Sequence, residues 1–240
     1  NGVTTGTAGA GGAGRTIIRY TGTTAQSVAT GTYTTTTVGG DTIVTYSTVG
    51  THTFAPISGC NGGCNLTITA GNVNFGSTIG ATTALGALSV NATNGFILPT
   101  TIAGSLTATG QTSLNGNITT TPSGNVSFNS PVILINNSTI NAGSGTVTFA
   151  NTINGANNLS VNAGTISFGG AVGGTTALGD SAFTSTNALN LSQNITASSI
   201  LARTTGAASD ITIAATRSLT ASGAGNAITL ASGRNFINNS

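Results

Sequence analysis

Two neighbouring stretches of the sequence decide the fold: Gly145-Thr-Val-Thr-Phe149 and Gly164-Thr-Ile-Ser-Phe168. The same phrase occurs twice upstream, as Gly71-Asn-Val-Asn-Phe75 and Gly124-Asn-Val-Ser-Phe128, and the last three Phe residues follow one another at intervals of 21 and 19 residues. A period near 20 residues is too short for a propeller blade, and the absence of helical patterning excludes the common helical repeats. The period predicts one coil of a parallel β-solenoid.

A longer internal match supports this interpretation. Residues 65–86 align without gaps on residues 158–179, and 12 of the 22 aligned pairs are identical. Alternate residues of a strand share a face, so the apolar positions of each phrase should point inward while Asn, Ser or Thr point outward. The predicted inward ladder is Val73, Phe75, Val126, Phe128, Val147, Phe149, Ile166 and Phe168.

The repeats divide the chain into three parts. Residues 1–14 are nearly all Gly, Ala and Thr and predict a flexible segment. Residues 15–58 contain four short alternating runs, which predict a small antiparallel sheet or cap. Residues 59–240 should form the solenoid, with about nine coils of roughly 20 residues each.

The composition agrees with an all-β protein. The chain has 48 Thr and 36 Gly but no Lys, Glu, Met or Trp, so most strong helix formers are missing. Charged residues are 3% of the chain and the net charge is +2, which provides no electrostatic surface for nucleic acid or an anionic membrane. No apolar run approaches the roughly 18 residues of a spanning helix, so we expect no membrane span.

Three stretches of the repeat region resemble a known family. They are Leu159-Ser-Val-Asn-Ala-Gly-Thr-Ile-Ser-Phe168, Gly169-Gly-Ala-Val-Gly-Gly-Thr-Thr-Ala-Leu-Gly179 and the segment 218–239, and they resemble the repeats of large bacterial exoproteins of the filamentous-haemagglutinin adhesin type. The resemblance covers about residues 64–240. It implies a right-handed parallel β-helix, secretion across an outer membrane, and an adhesive or matrix role. It carries over no catalytic residues.

Enzymatic chemistry finds little support in the side chains. Asp41, Asp180 and Asp210 are each alone in sequence, although a solenoid could bring Asp180 and Asp210 onto neighbouring coils, and His52 has no second histidine to form a metal site or triad. We therefore expect no enzyme, no cofactor and no metal site.

The only two cysteines lie in Cys60-Asn-Gly-Gly-Cys64. This spacing predicts a local disulfide that clamps a Gly-rich turn in an oxidising setting, and two free thiols in a loop are the alternative.

These observations predict an extracellular or surface-exposed bacterial rod that binds a host or neighbouring-cell surface, glycans or matrix. A self-assembling filament or sheath subunit is one alternative, and an ice-binding Thr-rich solenoid is another. Because an open solenoid exposes unpaired backbone groups at its ends, we also expect either a longer native chain or head-to-tail association between copies.

Overall fold

The computed structural model describes residues 16–21, 33–38, 41–46, 53–54, 65–121, 123–224 and 227–240, and these residues contain strands but no helix. The strands, in chain order, are β1 (Thr16–Thr21), β2 (Tyr33–Val38), β3 (Asp41–Tyr46), β4 (Thr53–Phe54), β5 (Leu66–Ala70), β6 (Val73–Phe75), β7 (Leu85–Ala92), β8 (Phe96–Leu98), β9 (Thr101–Thr109), β10 (Thr112–Leu114), β11 (Ile118–Thr120), β12 (Val126–Phe128), β13 (Val132–Leu134), β14 (Ser138–Asn141), β15 (Thr146–Phe149), β16 (Ile153–Asn154), β17 (Leu159–Ala163), β18 (Thr165–Phe168), β19 (Leu178–Ser185), β20 (Leu189–Leu191), β21 (Ile195–Thr204), β22 (Ile211–Ile213), β23 (Leu219–Ala221), β24 (Ile228–Ala231) and β25 (Phe236–Asn238).

From β5 onward the strands pair in parallel and form a right-handed parallel β-helix, which confirms the predicted fold class. It has about eight turns of about 21 residues, rather than about nine turns of 20. Paired inward residues on one face lie 18 to 25 residues apart along the chain, because the bends between strands differ in length.

Each coil passes over three faces, which we number in the order in which the chain reaches them. Face 1 contains β5, β12, β15, β18, β20, β22 and β25, with the C-terminal halves of β7 and β9. Face 2 contains β4, β6, β8, β10, β13, β16 and β23, with the start of β21. Face 3 contains β11, β14, β17 and β24, with the N-terminal halves of β7 and β9 and the C-terminal halves of β19 and β21.

The N-terminal strands meet the solenoid in two ways. β3 pairs antiparallel with both β1 and β2, and β1 pairs antiparallel with β5, so these strands extend face 1 beyond the first coil. The fourth predicted run behaves differently, because β4 pairs in parallel with β6 and therefore belongs to face 2 of the solenoid. The prediction that this run joins the antiparallel sheet was wrong, since coil stacking determines its partner.

The residues of the predicted ladder lie in the interior, together with many other buried aliphatic side chains. All eight ladder residues are buried, with at most 8% of any of them exposed. Phe128, Phe149 and Phe168 stack nearly parallel across three successive coils of face 1, with ring centroids 5.2 and 6.0 Å apart. Phe75 is not part of this stack, because it lies on face 2 and meets Phe96 edge to face.

In the three later copies of the phrase, the opening Gly (Gly124, Gly145 or Gly164) lies where face 3 turns into face 1. At this corner the coils approach so closely that a Cβ on Gly124 would strike the carbonyl oxygen of Gly104, and a Cβ on Gly145 would strike that of Gly124. Glycine is therefore required here by the distance between neighbouring coils.

Asparagines at the corners also link one coil to the next. The Oδ1 atom of Asn137 accepts a hydrogen bond from the backbone N–H of Asn158, and the Oδ1 atom of Asn158 accepts one from Asp180, at 2.9 and 2.8 Å. Asn65, Asn117 and Asn125 accept equivalent bonds from the following coil. These bonds satisfy backbone donors where strand pairing is interrupted.

Candidate interaction surface

The structure separates Asp180 from Asp210, two of the carboxylates considered as catalytic candidates. Asp180 is exposed in β19 and accepts a 2.7 Å hydrogen bond from the hydroxyl of Ser199. Asp210 precedes β22 on face 1 and pairs with Arg234 at 2.7 Å. The two Asp residues lie on neighbouring coils but lead into different faces, so they do not form the acid–base pair that a glycosidase needs.

The ion pair ties the last two coils together. The Arg234 guanidinium donates two hydrogen bonds to the Asp210 carboxylate and lowers the pKa of that group to about 2. The backbone N–H of Asn235 donates a third bond to the same carboxylate. Asp210 therefore acts as a charged version of the asparagine links between coils.

Other predicted residues lie outside what the structure describes. His52, Cys60 and Cys64 are in this group, and Asp41 begins β3, of which we describe only the backbone. The disulfide stays a prediction. Within the described ranges, no three His, Cys, Asp or Glu side chains come together as a metal site would require.

The most regular surface feature is a row of hydroxyls on the outside of face 1. Six successive coils place a short hydroxyl side chain at the same outward position, and strand register aligns each with the next. We call this set the hydroxyl row; it consists of Thr67, Ser89, Thr107, Ser127, Thr148 and Ser167. Neighbouring members are separated by the strand spacing of about 4.8 Å.

Among the described residues, the hydroxyl row keeps its hydrogen-bonding groups unused. None of its six side chains is buried, and none makes a hydrogen bond to another described residue. Some hydroxyls in the columns on either side of the row are bonded, since Asn129 donates to the Thr109 hydroxyl on one side and Asn187 donates to the Thr165 hydroxyl on the other. The unused hydrogen-bonding capacity is therefore concentrated along the centre of face 1.

The other two faces are less regular. Face 2 alternates polar and apolar residues outside, with Ile97 and Ile133 on either side of Ser113. On face 3 the aligned outward residues include Ile102 and Arg203, and the amide of Asn162 donates to Asn141 at 2.9 Å. Neither face has a continuous row of short, unbonded hydroxyls.

The segment that carries the hydroxyl row contains no ionisable side chain. From residue 65 to residue 179 the sequence contains no Asp, Glu, Lys, Arg, His, Cys or Tyr. The hydroxyl row lies entirely within this segment. The repeated phrase indicates only half of the row, because the third residue after its opening Gly is Ser127, Thr148 or Ser167 in the three later copies. The other three members lie outside the phrase.

Comparison with protein-family models, characterised proteins and solved structures finds no match to this chain. The described residues form no helix with the length and apolar character needed to cross a membrane.

Proposed function

We propose that this chain is the rod-forming part of a secreted or surface-exposed bacterial protein with a structural or adhesive role and no catalytic activity. The observation that carries the proposal is the hydroxyl row on an uncharged, parallel β-helical rod. Each hydroxyl offers one weak contact, and repetition along a rigid axis converts weak contacts into avidity. The resemblance to filamentous-haemagglutinin-type repeats supports the same role.

Adhesion can be tested with beads that carry the full chain at high density. We expect the beads to bind bacterial or host cell surfaces, extracellular matrix or immobilised glycans. Asp41→Asn, Asp180→Asn, Asp210→Asn and His52→Ala should each leave this binding within a few-fold of wild type. A complete loss from one of these changes would instead indicate a discrete active site.

A filament subunit is a second candidate, favoured by the last coil. β23, β24 and β25 each pair with only one strand of the described residues, and Ile228 and Phe236 are 44% and 47% exposed. Head-to-tail contact with another copy would cover these strand edges. Electron microscopy of the purified chain tests this candidate, since a filament subunit forms long rods and a tethered adhesin does not.

Ice binding is a third candidate, favoured by the hydroxyl row itself. A stiff, regular array of hydroxyls can order water in front of it. Thermal hysteresis of the wild-type chain, measured beside a Thr107→Lys variant, tests this candidate directly. If the protein binds ice, the wild-type chain lowers the freezing point of the solution below its melting point, and the variant does not.

A further inference from the structure

We propose that face 1 is a homotypic contact surface, on which the hydroxyl row of one rod packs side by side against the hydroxyl row of a second copy. The proposal deepens the rod function proposed above and rests on it. It names the partner of the row as this same chain.

The first argument is chemical self-complementarity. A hydroxyl both donates and accepts hydrogen bonds, so a surface of hydroxyls can pair with an identical surface in either direction. A row of ammonium groups or carboxylates could not do so. The spacing is also self-matching, because both rods repeat at the strand spacing of about 4.8 Å.

The second argument is that the segment carrying the hydroxyl row is uncharged. Net charge normally keeps proteins apart, and charged side chains on β surfaces prevent unwanted association. Residues 65–179 carry no ionisable side chain, so two copies can approach along this segment without repulsion. From β5 to β22, the outward strand residues of face 1 are Thr, Ser or Asn, so these strands offer no aromatic ring on which a sugar could stack, which favours a second copy over a glycan.

The area of the contact determines its strength. Six rungs at about 4.8 Å and a width of about five residues give on the order of 400 Å² for each partner. Two such faces bury about 800 Å² in total, less than the roughly 1,200 Å² typical of a stable complex. A single pair of rods should therefore separate readily in dilute solution, whereas many rods on one surface should hold together through avidity.

The test uses beads coated with the full chain, and clustering is read by light microscopy. Wild-type beads should cluster with one another. Beads carrying Thr107→Lys with Ser167→Lys should cluster at least about tenfold less, and so should beads carrying Thr107→Glu with Ser167→Glu, because like charges then face each other. Mixing the Lys beads with the Glu beads should restore clustering, because opposite charges then face each other.

A matched pair on face 3 serves as the control. Thr119 and Thr184 lie in one outward column and are three coils apart, as are Thr107 and Ser167 on face 1. Thr119→Lys with Thr184→Lys should leave clustering unchanged. If the double variants on face 1 unfold, Thr107→Lys and Thr107→Glu replace them in the same mixing experiment.

Three outcomes would overturn the proposal: wild-type beads that do not cluster, an equal loss in the face 3 control, or Lys and Glu beads that stay dispersed when mixed. If wild-type beads bind cells or matrix but not one another, the homotypic contact is refuted and the proposed adhesive function is supported. Thermal hysteresis that is lost on face 1 substitution, without clustering, would assign the row to ice instead.

Discussion

The two copies of the 22-residue repeat, residues 65–86 and 158–179, have the same local structure but lie on different faces. Gly80 and Gly173 are aligned and have φ angles of 72° and 70°. Asn65 and Asn158 are aligned, and each accepts a hydrogen bond from the backbone 22 residues later. Yet the first strand of the earlier copy is on face 1, and that of the later copy is on face 3.

The comparison teaches that the sequence repeat is not the structural repeat. The copies are 93 residues apart, a distance that spans four full turns and two further faces. The same strand–bend–strand sequence can therefore begin on face 1 or on face 3 of the coil. Its inward residues meet an apolar interior on every face, whereas its outward residues acquire different neighbours.

The largest expected effect tests whether the two copies have equivalent cores. Phe168 is 3% exposed, stacks on Phe149 and meets Phe183 edge to face at 5.1 Å, whereas its aligned partner Phe75 is 8% exposed. Phe168→Ala should lower the free energy of unfolding by about 4 kcal/mol, near the middle of the range for buried Phe. Phe75→Ala should cost less. Urea unfolding followed by circular dichroism measures both, and a larger loss at Phe75 would contradict the comparison.

The second prediction concerns the aligned glycines. A Cβ at Gly80 would strike the carbonyl oxygen of Ile102, and one at Gly173 would strike that of Thr196, in addition to the strain of a positive φ. Gly80→Ala and Gly173→Ala should therefore each destabilise the protein by about 2 kcal/mol or more. Thermal unfolding should give similar losses for the two. Gly71→Ala is the control, because its Cβ would have only an ordinary 3.7 Å contact.

The third prediction concerns the aligned asparagines. Asn65→Ala and Asn158→Ala should each cost about 1 kcal/mol, because each leaves one backbone N–H without its acceptor. The matched Asn→Asp variants keep an acceptor oxygen and should recover most of the loss. Urea midpoints of the four variants measure this, and an Asp variant no better than its Ala counterpart would show that the hydrogen bond is not the cause.

The prediction with the smallest effect on stability tests most directly whether the outer surfaces of faces 1 and 2 differ. Ser167 and Asn74 are aligned and exposed, but Ser167 points outward on face 1 and Asn74 on face 2. Ser167→Lys and Asn74→Lys should each change the free energy of unfolding by less than about 0.5 kcal/mol. Only Ser167→Lys should reduce bead clustering. Equal clustering by the two variants would mean that the faces are interchangeable outside as well as inside.

The sequence predicts the solenoid and its inward ladder because burial is a local pattern. Val147 and Phe149 alternate with Thr, and any closed coil turns such residues inward. The assignment to faces could not be predicted in this way. Phe75 and Phe168 occur in the same phrase, and only the accumulated lengths of the intervening bends place one on face 2 and the other on face 1.

The hydroxyl row was missed for the same reason. Thr107 and Ser127 belong to no shared phrase, and they become neighbours only when strand register is known. The parallel partner of β4 was also missed, because a strand of two residues carries too little pattern to distinguish a hairpin from a coil. Burial within a coil can thus be predicted from the local sequence, whereas the alignment of residues on neighbouring coils depends on strand register.

The hydrogen bonds between coils run along the rod, which gives the protein a distinctive response to force. A coil contributes about 4.8 Å to the rod, but its 21 or so residues reach about 70 Å when stretched. Tension along the axis therefore loads the bonds of one coil at a time. Each coil that peels away lengthens the molecule more than tenfold over its folded rise and dissipates mechanical work, so a rod anchored at one end would yield stepwise under shear before its attachment failed.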